Sequence, residues 1–369
     1  MPGTRHEPAA AARAQVTILR GWRALRPLEP ALATLQRIAG TPVTARLSWW
    51  RSAVMADRGA VPLLAARTGP GGTLSAAALI ALREADGGWQ VTSGRPHSDD
   101  VWEVAAVSAG ARRAILAELV SLVRGLDRSW QLALTGLRHG DDAKWLAGQL
   151  PGGRAVSAPP VPGIGFTDDE VTFAPSIRRG LDRSGHRIAR QGLTEEIGFE
   201  REPARLAKLR EEVEAVHRAR DHDAGRVSDL DEVAGAAFWR SVYDRHAARG
   251  ELEVATLRLD GHLAAYVIAL ADRPAYRVFD GRFAPPWREY SPGRRLEAAV
   301  VAHARRRHFR MLDWMSSVAP DKLVASTWAE PRWAVTAAGD RQPAVTAADD
   351  RQPALTAGGS DLAMTAAAP

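Results

Sequence analysis

The dipeptide Asp260-Gly261 separates two apolar runs, Glu251–Leu259 and Gly261–Ala271, and it constrains this chain more than any other feature. Asp-Gly accommodates the positive φ angles of a tight hairpin turn, so the two runs read as antiparallel strands. The second is apolar on both faces, which places it in the middle of a sheet. Tyr276–Phe283 follows as a third strand, then a loop, a helix over Gly293–Arg307 and a closing strand Met311–Met315. Upstream, three helices are expected: a basic one over Ser176–Gln191, one over Glu202–Asp221 with Leu206, Leu209, Val213 and Val216 in a stripe, and one over Leu230–Arg249 burying Val233, Ala237 and Phe238. Helices, a meander, a loop, a helix and a final strand describe an α/β (α+β) fold with a mixed, mostly antiparallel sheet flanked by helices.

The first half of the chain has a similar order. Val61–Arg67, Ala76–Arg83, Trp89–Ser93 and Val101–Val107 read as strands, the second and third joined by Asp86-Gly-Gly88. A helix with Ile115, Leu119 and Leu122 on one face, the strand Trp130–Leu137 and a short helix Asp141–Leu150 follow. Ser157-Ala-Pro-Pro-Val-Pro-Gly-Ile-Gly165 reads as a linker. Ala334-Val-Thr-Ala-Ala-Gly-Asp-Arg-Gln-Pro343 recurs almost unchanged at 344–353, without a wide apolar face to offset its ordering entropy, so a disordered tail is expected there. The expected organisation is residues 1–156, residues 157–333 and a tail over 334–369.

Composition narrows the chemistry. The chain has no cysteine, which excludes cysteine nucleophiles and cysteine-based zinc sites. His217 and His222, like His303 and His308, are five apart, a poor spacing for one helix face, and no metal is expected. No run has the length of a signal peptide core or a membrane span, so a cytoplasmic location is expected. Walker loop, dinucleotide fingerprint and Gly-x-Ser-x-Gly elbow are all missing from the sequence. A net charge of +6 fits an Arg-rich proteome, or an anionic partner such as a phosphorylated cofactor or a tRNA.

The most informative segment is Phe283-Ala-Pro-Pro-Trp-Arg-Glu-Tyr-Ser-Pro-Gly-Arg-Arg-Leu296, between strand and helix. Ser291 suits an N-cap, Pro292 the first helical position, and Gly293 allows close approach of a ligand to the backbone. A helix start offers free N–H groups and a positive dipole end to an anion, and Arg288, Arg294 and Arg295 add charge. Ser-Pro-Gly alone equally fits an ordinary capped surface helix.

In that context, Arg288-x-x-Ser291-x-Gly293 resembles the acyl-CoA loop of the GNAT superfamily of N-acetyltransferases, Arg/Gln-x-x-Gly-x-Gly/Ala. The span from about Pro175 to Trp328 is similar to GNAT proteins of the CelD/BcsL type, on Ser176-Ile-Arg-Arg-Gly-Leu-Asp-Arg183, Leu259–Tyr266, Trp287–Gly293, Leu312-Asp-Trp314, Lys322 and Trp328. Ser291 stands where the general loop has its middle Gly, and Asp321 stands where an aromatic commonly precedes the Lys. The resemblance implies tandem GNAT-like domains, as in Fem-type transferases, with the N-terminal one degenerate: Ser108-Ala-Gly-Ala111 occupies its loop position without an upstream basic residue.

It also implies direct transfer of an acetyl or other acyl group from acyl-CoA to an amine or hydroxyl. Cofactor contacts would come from Arg288, Ser291, Pro292, Gly293, Arg294 and Arg295. Asp280 and Asp313 are candidate bases and Tyr290 a candidate proton donor. Lys322, Trp314 and Trp328 would meet the acceptor. The plainer readings are a turn for Asp280, an ion pair with a neighbouring Arg for Asp313, and packing on Trp287 for Tyr290. Two rival functions remain: an aminoacyl-tRNA-dependent transferase of Fem-like type, with tRNA as donor, and a non-catalytic GNAT-fold binding module. No DNA partner is expected.

Overall fold

The computed structural model describes residues 15–69, 72–94, 101–166, 173–315 and 327–340. The first half contains β1 (Gln15–Arg20), α1 (Trp22–Leu25), α2 (Glu29–Ile38), α3 (Leu47–Ala56), β2 (Ala60–Thr68), β3 (Leu74–Ala85), β4 (Gly88–Thr92), β5 (Ala105–Ala106), α4 (Ala109–Arg124), β6 (Trp130–Leu137), α5 (Gly140–Gln149) and β7 (Arg154–Gly165). The second contains α6 (Pro175–Arg190), β8 (Glu195–Glu200), α7 (Pro203–Asp223), α8 (Val233–Ala247), β9 (Leu252–Leu259), β10 (His262–Asp272), β11 (Ala275–Phe283), α9 (Pro292–Arg306), β12 (Met311–Asp313) and β13 (Trp328–Gly339).

Among the described residues these strands form one sheet, ordered β1-β2-β3-β4-β6-β13-β7-β12-β11-β10-β9-β8, with β5 paired on β3. The two halves repeat a plan. In the first, the antiparallel meander β2–β3–β4 leads through α4 to β6, which lies parallel to β4. In the second, β9–β10–β11 leads through α9 to β12, parallel to β11. The predicted hairpin is present: Asp260 and Gly261 have φ of 48° and 76°. β10 is buried from Leu263 to Leu270, as its two apolar faces require.

The halves exchange their last strands. β7, which follows β6 in the chain, pairs with β12 of the second half, while β13 pairs with β6 of the first. β7 and β13 also pair with each other along most of their length. The expected linker is therefore a strand at the centre of the sheet. Pro159 and Pro160 are tolerated at a bulge: Ala158 faces Arg332 and Val161 faces Glu330, so the two oppose the single Pro331, while Pro162 pairs opposite Ala329. Proline lacks the N–H that a regular ladder position needs, and a bulge removes that demand.

The expected tail is likewise ordered at its start. Ala334–Gly339, the first part of the repeat, belongs to β13 and pairs on both sides, with Val335 fully buried. Its small residues offer little apolar area, but β7 pairs with it as far as Thr336, β6 pairs with it to Gly339, and Trp130 packs over Gly339, where a Cβ would meet the indole at 2.6 Å. Residues 341–369 of the expected tail lie outside the described residues.

Two smaller expectations also change. Within Val101–Val107 only β5 is a strand, beside an isolated bridge from Trp102 to Leu137. On α8, Val233 is exposed, and the buried stripe is Phe238, Trp239, Val242 and Tyr243. That stripe packs under β9 and β10 together with α7 and the N-terminal residues Val43, Trp49 and Ala53. Trp49 thus serves the second half's core, while its neighbour Trp50 packs with α1 and α2 under β2 and β3. The opposite face of the second half is filled by α6 and α9.

Candidate active site

The site gathers where the end of β11, the C-terminal turns of α7 and the loop into α9 meet. β11 carries a bulge. Ile268 of β10 pairs with Asp280 and Ala269 with Val278, leaving Phe279 unpaired. Strict alternation would send Phe279 and Asp280 to opposite faces, but the bulge lets both face α7 and α8. Phe279 packs edge-on against Trp49 and Asp280 enters a buried polar cluster.

Asp280 is the hub of that cluster. Its Oδ2 accepts hydrogen bonds from the Tyr266 hydroxyl at 2.8 Å and Trp239 Nε1 at 3.2 Å, and His217 Nδ1 lies 3.0 Å away. Its Oδ1 accepts from the Gly281 amide and from Arg282, both at 2.8 Å. His217 Nε2 in turn sits 3.1 Å from Asp221, four residues on along α7. Burial alone would raise the Asp280 carboxyl. The Arg282 guanidinium and the hydrogen bonds from His217 and Tyr266 outweigh it and hold the carboxyl well below the usual carboxylate range. Burial and the Asp280 charge push the Tyr266 hydroxyl far upward. A carboxylate so fully satisfied is a poor proton acceptor. Asp280 lies within β11 rather than in a turn, and its hydrogen bonds tie together β10, α7 and α8.

The loop is held from two sides. α6 supplies Ser184 to the Tyr290 carbonyl and Arg187 to the Glu289 carbonyl. Residues Pro285–Tyr290 form a 3-10 turn in which Trp287 packs on Tyr290, centroids 6.0 Å apart. Tyr290 is buried apart from a small remainder, and its hydroxyl has no partner among the described residues. Ser291 precedes α9 in the left-handed region (φ 48°, ψ 46°) and its side chain makes no capping bond. Pro292 occupies the first turn and has no N–H, and the Gly293 and Arg294 amides precede the first intrahelical bond, which runs from the Arg295 amide to the Ser291 carbonyl at 3.2 Å. A Cβ on Gly293 would meet only Phe283, at 3.5 Å. Phe283 itself lies beneath the Arg220 guanidinium.

The expected cationic contacts divide. Arg295 is tied down, donating to Glu195 on β8 and to the Leu181 carbonyl on α6 at 3.0 Å, so it braces α9 rather than facing a ligand. Arg288 is 59% exposed and pairs with Asp223 at the end of α7, which leaves it at the rim. Arg294 is exposed.

Asp313, the other candidate base, is buried in an ion pair with Arg277, and its Oδ1 accepts the Met315 amide at 2.8 Å. It lies at the start of the parallel β11–β12 pair, where it faces Arg277, and not with Asp280. Trp314 is buried just beyond β12, and Trp328 opens β13 opposite Gly163; both indole N–H groups are buried without a partner. Lys322 lies outside the described residues.

One residue escaped the sequence reading. Glu297 is half-buried on α9, one turn beyond Gly293 and on the same face of the helix. It makes no hydrogen bond or ion pair among the described residues, and burial pushes its carboxyl up to about 7, with Arg294 opposing. The only sequence signal was its i+4 spacing from Gly293. Among the described residues no group of three or more His, Asp or Glu side chains is placed to hold a metal ion, and no helix is long and apolar enough to cross a membrane.

Residues 175–323 match the family model described as an acetyltransferase (GNAT) domain. This stretch is a GNAT-fold domain. No curated protein matches the chain in sequence. Among solved structures it resembles FemX, with a TM-score of 0.58 at 10% identity over 82% of this chain and 95% of that one. A conserved protein of unknown function from Bacteroides thetaiotaomicron VPI-5482 gives a TM-score of 0.54 at 10% identity, over 84% of this chain and 97% of that one. At such identities the likeness shows the fold: the mixed, mostly antiparallel sheet with flanking helices that the GNAT resemblance implied.

Proposed function

We propose that the GNAT half transfers an acetyl or other acyl group from acyl-CoA to an amine or hydroxyl acceptor. The observation that carries this reading is the open start of α9: an uncapped helix N-terminus beside a glycine, at the end of a bulged strand. Such a start suits a pyrophosphate through its free amides and dipole. Gly293, Arg294 and the rim residue Arg288 would hold the donor. The acceptor nitrogen or oxygen would attack the thioester carbonyl, the C–S bond would break, and the acceptor's proton would pass to a base. Glu297 suits that last task better than Asp280, because its carboxyl titrates near neutrality. Tyr290, whose hydroxyl has no partner among the described residues, would protonate the leaving thiolate. The indoles of Trp314 and Trp328, whose N–H groups have no partner among the described residues, would donate to the acceptor. The finer likeness to the CelD/BcsL type rests on Trp287–Gly293 and Leu312-Asp-Trp314, and a cytoplasmic location fits the donor.

The test is calorimetric titration of the full chain with acetyl-CoA and with aminoacyl-tRNA, at low and moderate salt. Acetyl-CoA should bind saturably with modest salt dependence. Gly293→Leu should weaken it at least about 100-fold, ~2.7 kcal/mol. The matching change in the first half, Gly110→Leu, should leave it alone, since a Cβ there meets nothing within 4 Å. Tight tRNA binding that falls steeply with salt, without acetyl-CoA binding, would replace the donor with aminoacyl-tRNA. Absence of both would favour a binding module.

A further inference from the structure

The site above does not account for a cavity of about 600 Å³ at the junction of the halves. Its walls come from α2 and α3 on one side, and from the end of α8, the β10–β11 turn and the first residues of β11 and β12 on the other. It adjoins Ala275, where β11 begins, whereas Gly293 packs by Phe283, where β11 ends. Eight residues of strand put roughly 26 Å between those ends.

Eight arginines and three carboxylates line this cavity, a formal excess of five positive charges. The carboxylates are all engaged. Asp272 pairs with Arg46 at 2.5 Å and with Arg277 at 3.1 Å, Glu29 pairs with Arg51, and Glu251 meets His246 at 2.7 Å. Arg138 is taken by Glu330 and Glu103. Arg37, Arg245 and Arg249 have no carboxylate partner among the described residues, and Arg273 donates only to the Arg307 carbonyl while lying over Phe309. The Nε of Arg245 is buried without any hydrogen-bond partner.

Such an arrangement is costly by itself. Burial disfavours the charged form of Arg245, and the like charges of Arg51 and Arg249 disfavour it further. Cations gathered on a concave wall focus a positive potential into it. A buried donor without a partner is a debit that a ligand oxygen would remove. The planar guanidinium matches phosphate oxygens in paired hydrogen bonds, and the volume falls in the usual range for small-molecule sites, ~300–1,000 Å³.

We propose that this cavity is a binding site for a small phosphorylated molecule, separate from the acyl-donor site and contacting both halves. Arg245 and Arg249 are its principal anion contacts, with Arg37 and Arg273 at the walls. Because the ligand would bridge α2–α3 and α8, its binding stabilises the junction.

The probe is inorganic pyrophosphate, titrated into the full chain by calorimetry and followed by thermal melting at matched ionic strength. Saturable binding at the cavity and a raised Tm are expected in the wild type and retained in Gly293→Leu, which closes the α9 start and removes only the contribution of that separate site. Arg249→Glu, at an exposed position, and Arg245→Gln should each weaken binding tenfold or more while melting normally without pyrophosphate. A nucleoside diphosphate in a parallel arm distinguishes the source: tighter binding than pyrophosphate marks a nucleotide, equal binding marks the phosphates alone, and both support the site. Binding that survives both arginine changes but vanishes in Gly293→Leu would move the anion to α9 and overturn the proposal. So would a Tm shift reproduced by sodium chloride at the same ionic strength.

Discussion

The starts of α4 and α9 occupy the same place in the two halves and share a Ser-x-Gly sequence, Ser108-Ala-Gly110 and Ser291-Pro-Gly293. Their geometry differs. Ser108 is extended (φ −156°, ψ 158°) and its hydroxyl accepts the Ala111 amide at 3.2 Å, so α4 satisfies one of its own free donors. Ser291 is left-handed and caps nothing. The strands leading to them differ as well: β4 pairs with β3 without a register shift and carries no carboxylate, whereas β11 is bulged and places Asp280 in a charged cluster. One half has closed its helix start with its own side chain, and the other has left its start open and braced the strand before it. A duplicated plan can thus keep its packing in both copies while only one copy leaves its helix start without a side-chain cap.

The largest expected effect comes from removing the hub. Asp280→Ala leaves Arg282, His217 and Trp239 facing a gap in a buried cluster and should cost about 3 kcal/mol or more in urea unfolding. The Asp280 pKa is depressed, so its stabilisation is present above the ordinary carboxylate value and lost as pH falls below it toward the depressed folded value; the gap between wild type and variant should narrow only in strong acid. An unchanged midpoint at neutral pH would show that the bulge and not the charge organises the second half.

Glu297 has the opposite sign. Its folded pKa of about 7 lies above the ordinary glutamate value of 4.5, so its favourable contribution is full below the lower value and lost as pH rises through the higher. Glu297→Gln should melt like wild type near pH 4 and be more stable by ~1–2 kcal/mol near pH 8. Equal melting at both values would mean the carboxyl is solvated and unfit for the base role.

The smallest effects test the caps directly. Ser108→Ala should lower stability by about 1 kcal/mol, the usual value of a lost N-cap. Ser291→Gly should raise it by a few tenths of a kcal/mol, because glycine accepts a positive φ without strain. Paired chemical denaturation would separate them, and equal losses in both would erase the distinction between closed and open helix starts.

What could be read from sequence follows from how local the physics is. Asp260-Gly261, the stripe on α7 and the apolar run of β10 are decided by neighbours in the chain, and each folds as expected. β7 and β13 were missed because their reasons are remote. Proline argued for a linker until a bulge opposite Pro331 removed the need for its N–H, and Ala334–Gly339 argued for disorder until two ladders closed on it. The outward turn of Val233 depends on how the stripe of α8 rolls under β9 and β10. At the site, Asp280 reads from sequence as a candidate base or a turn residue, whereas its five partners come together only with α7, α8 and β10 in place. Arg295 looked like a cofactor contact until Glu195, a hundred residues away in the chain, was seen to hold it. Glu297 carried no motif at all.

The strand exchange also sets a timetable for synthesis. Arg138, just past the end of β6, meets its partner Glu330 on β13 across 192 residues of chain. At ~5–20 residues per second, a ribosome takes roughly 10–40 s to deliver that distance. Through that interval β6 presents one bare edge, and β7 waits for β12 and β13 alike. Unpaired edges of this kind invite pairing with other chains, so the nascent polypeptide is most exposed to aggregation while its first half is complete in sequence but still open in its sheet.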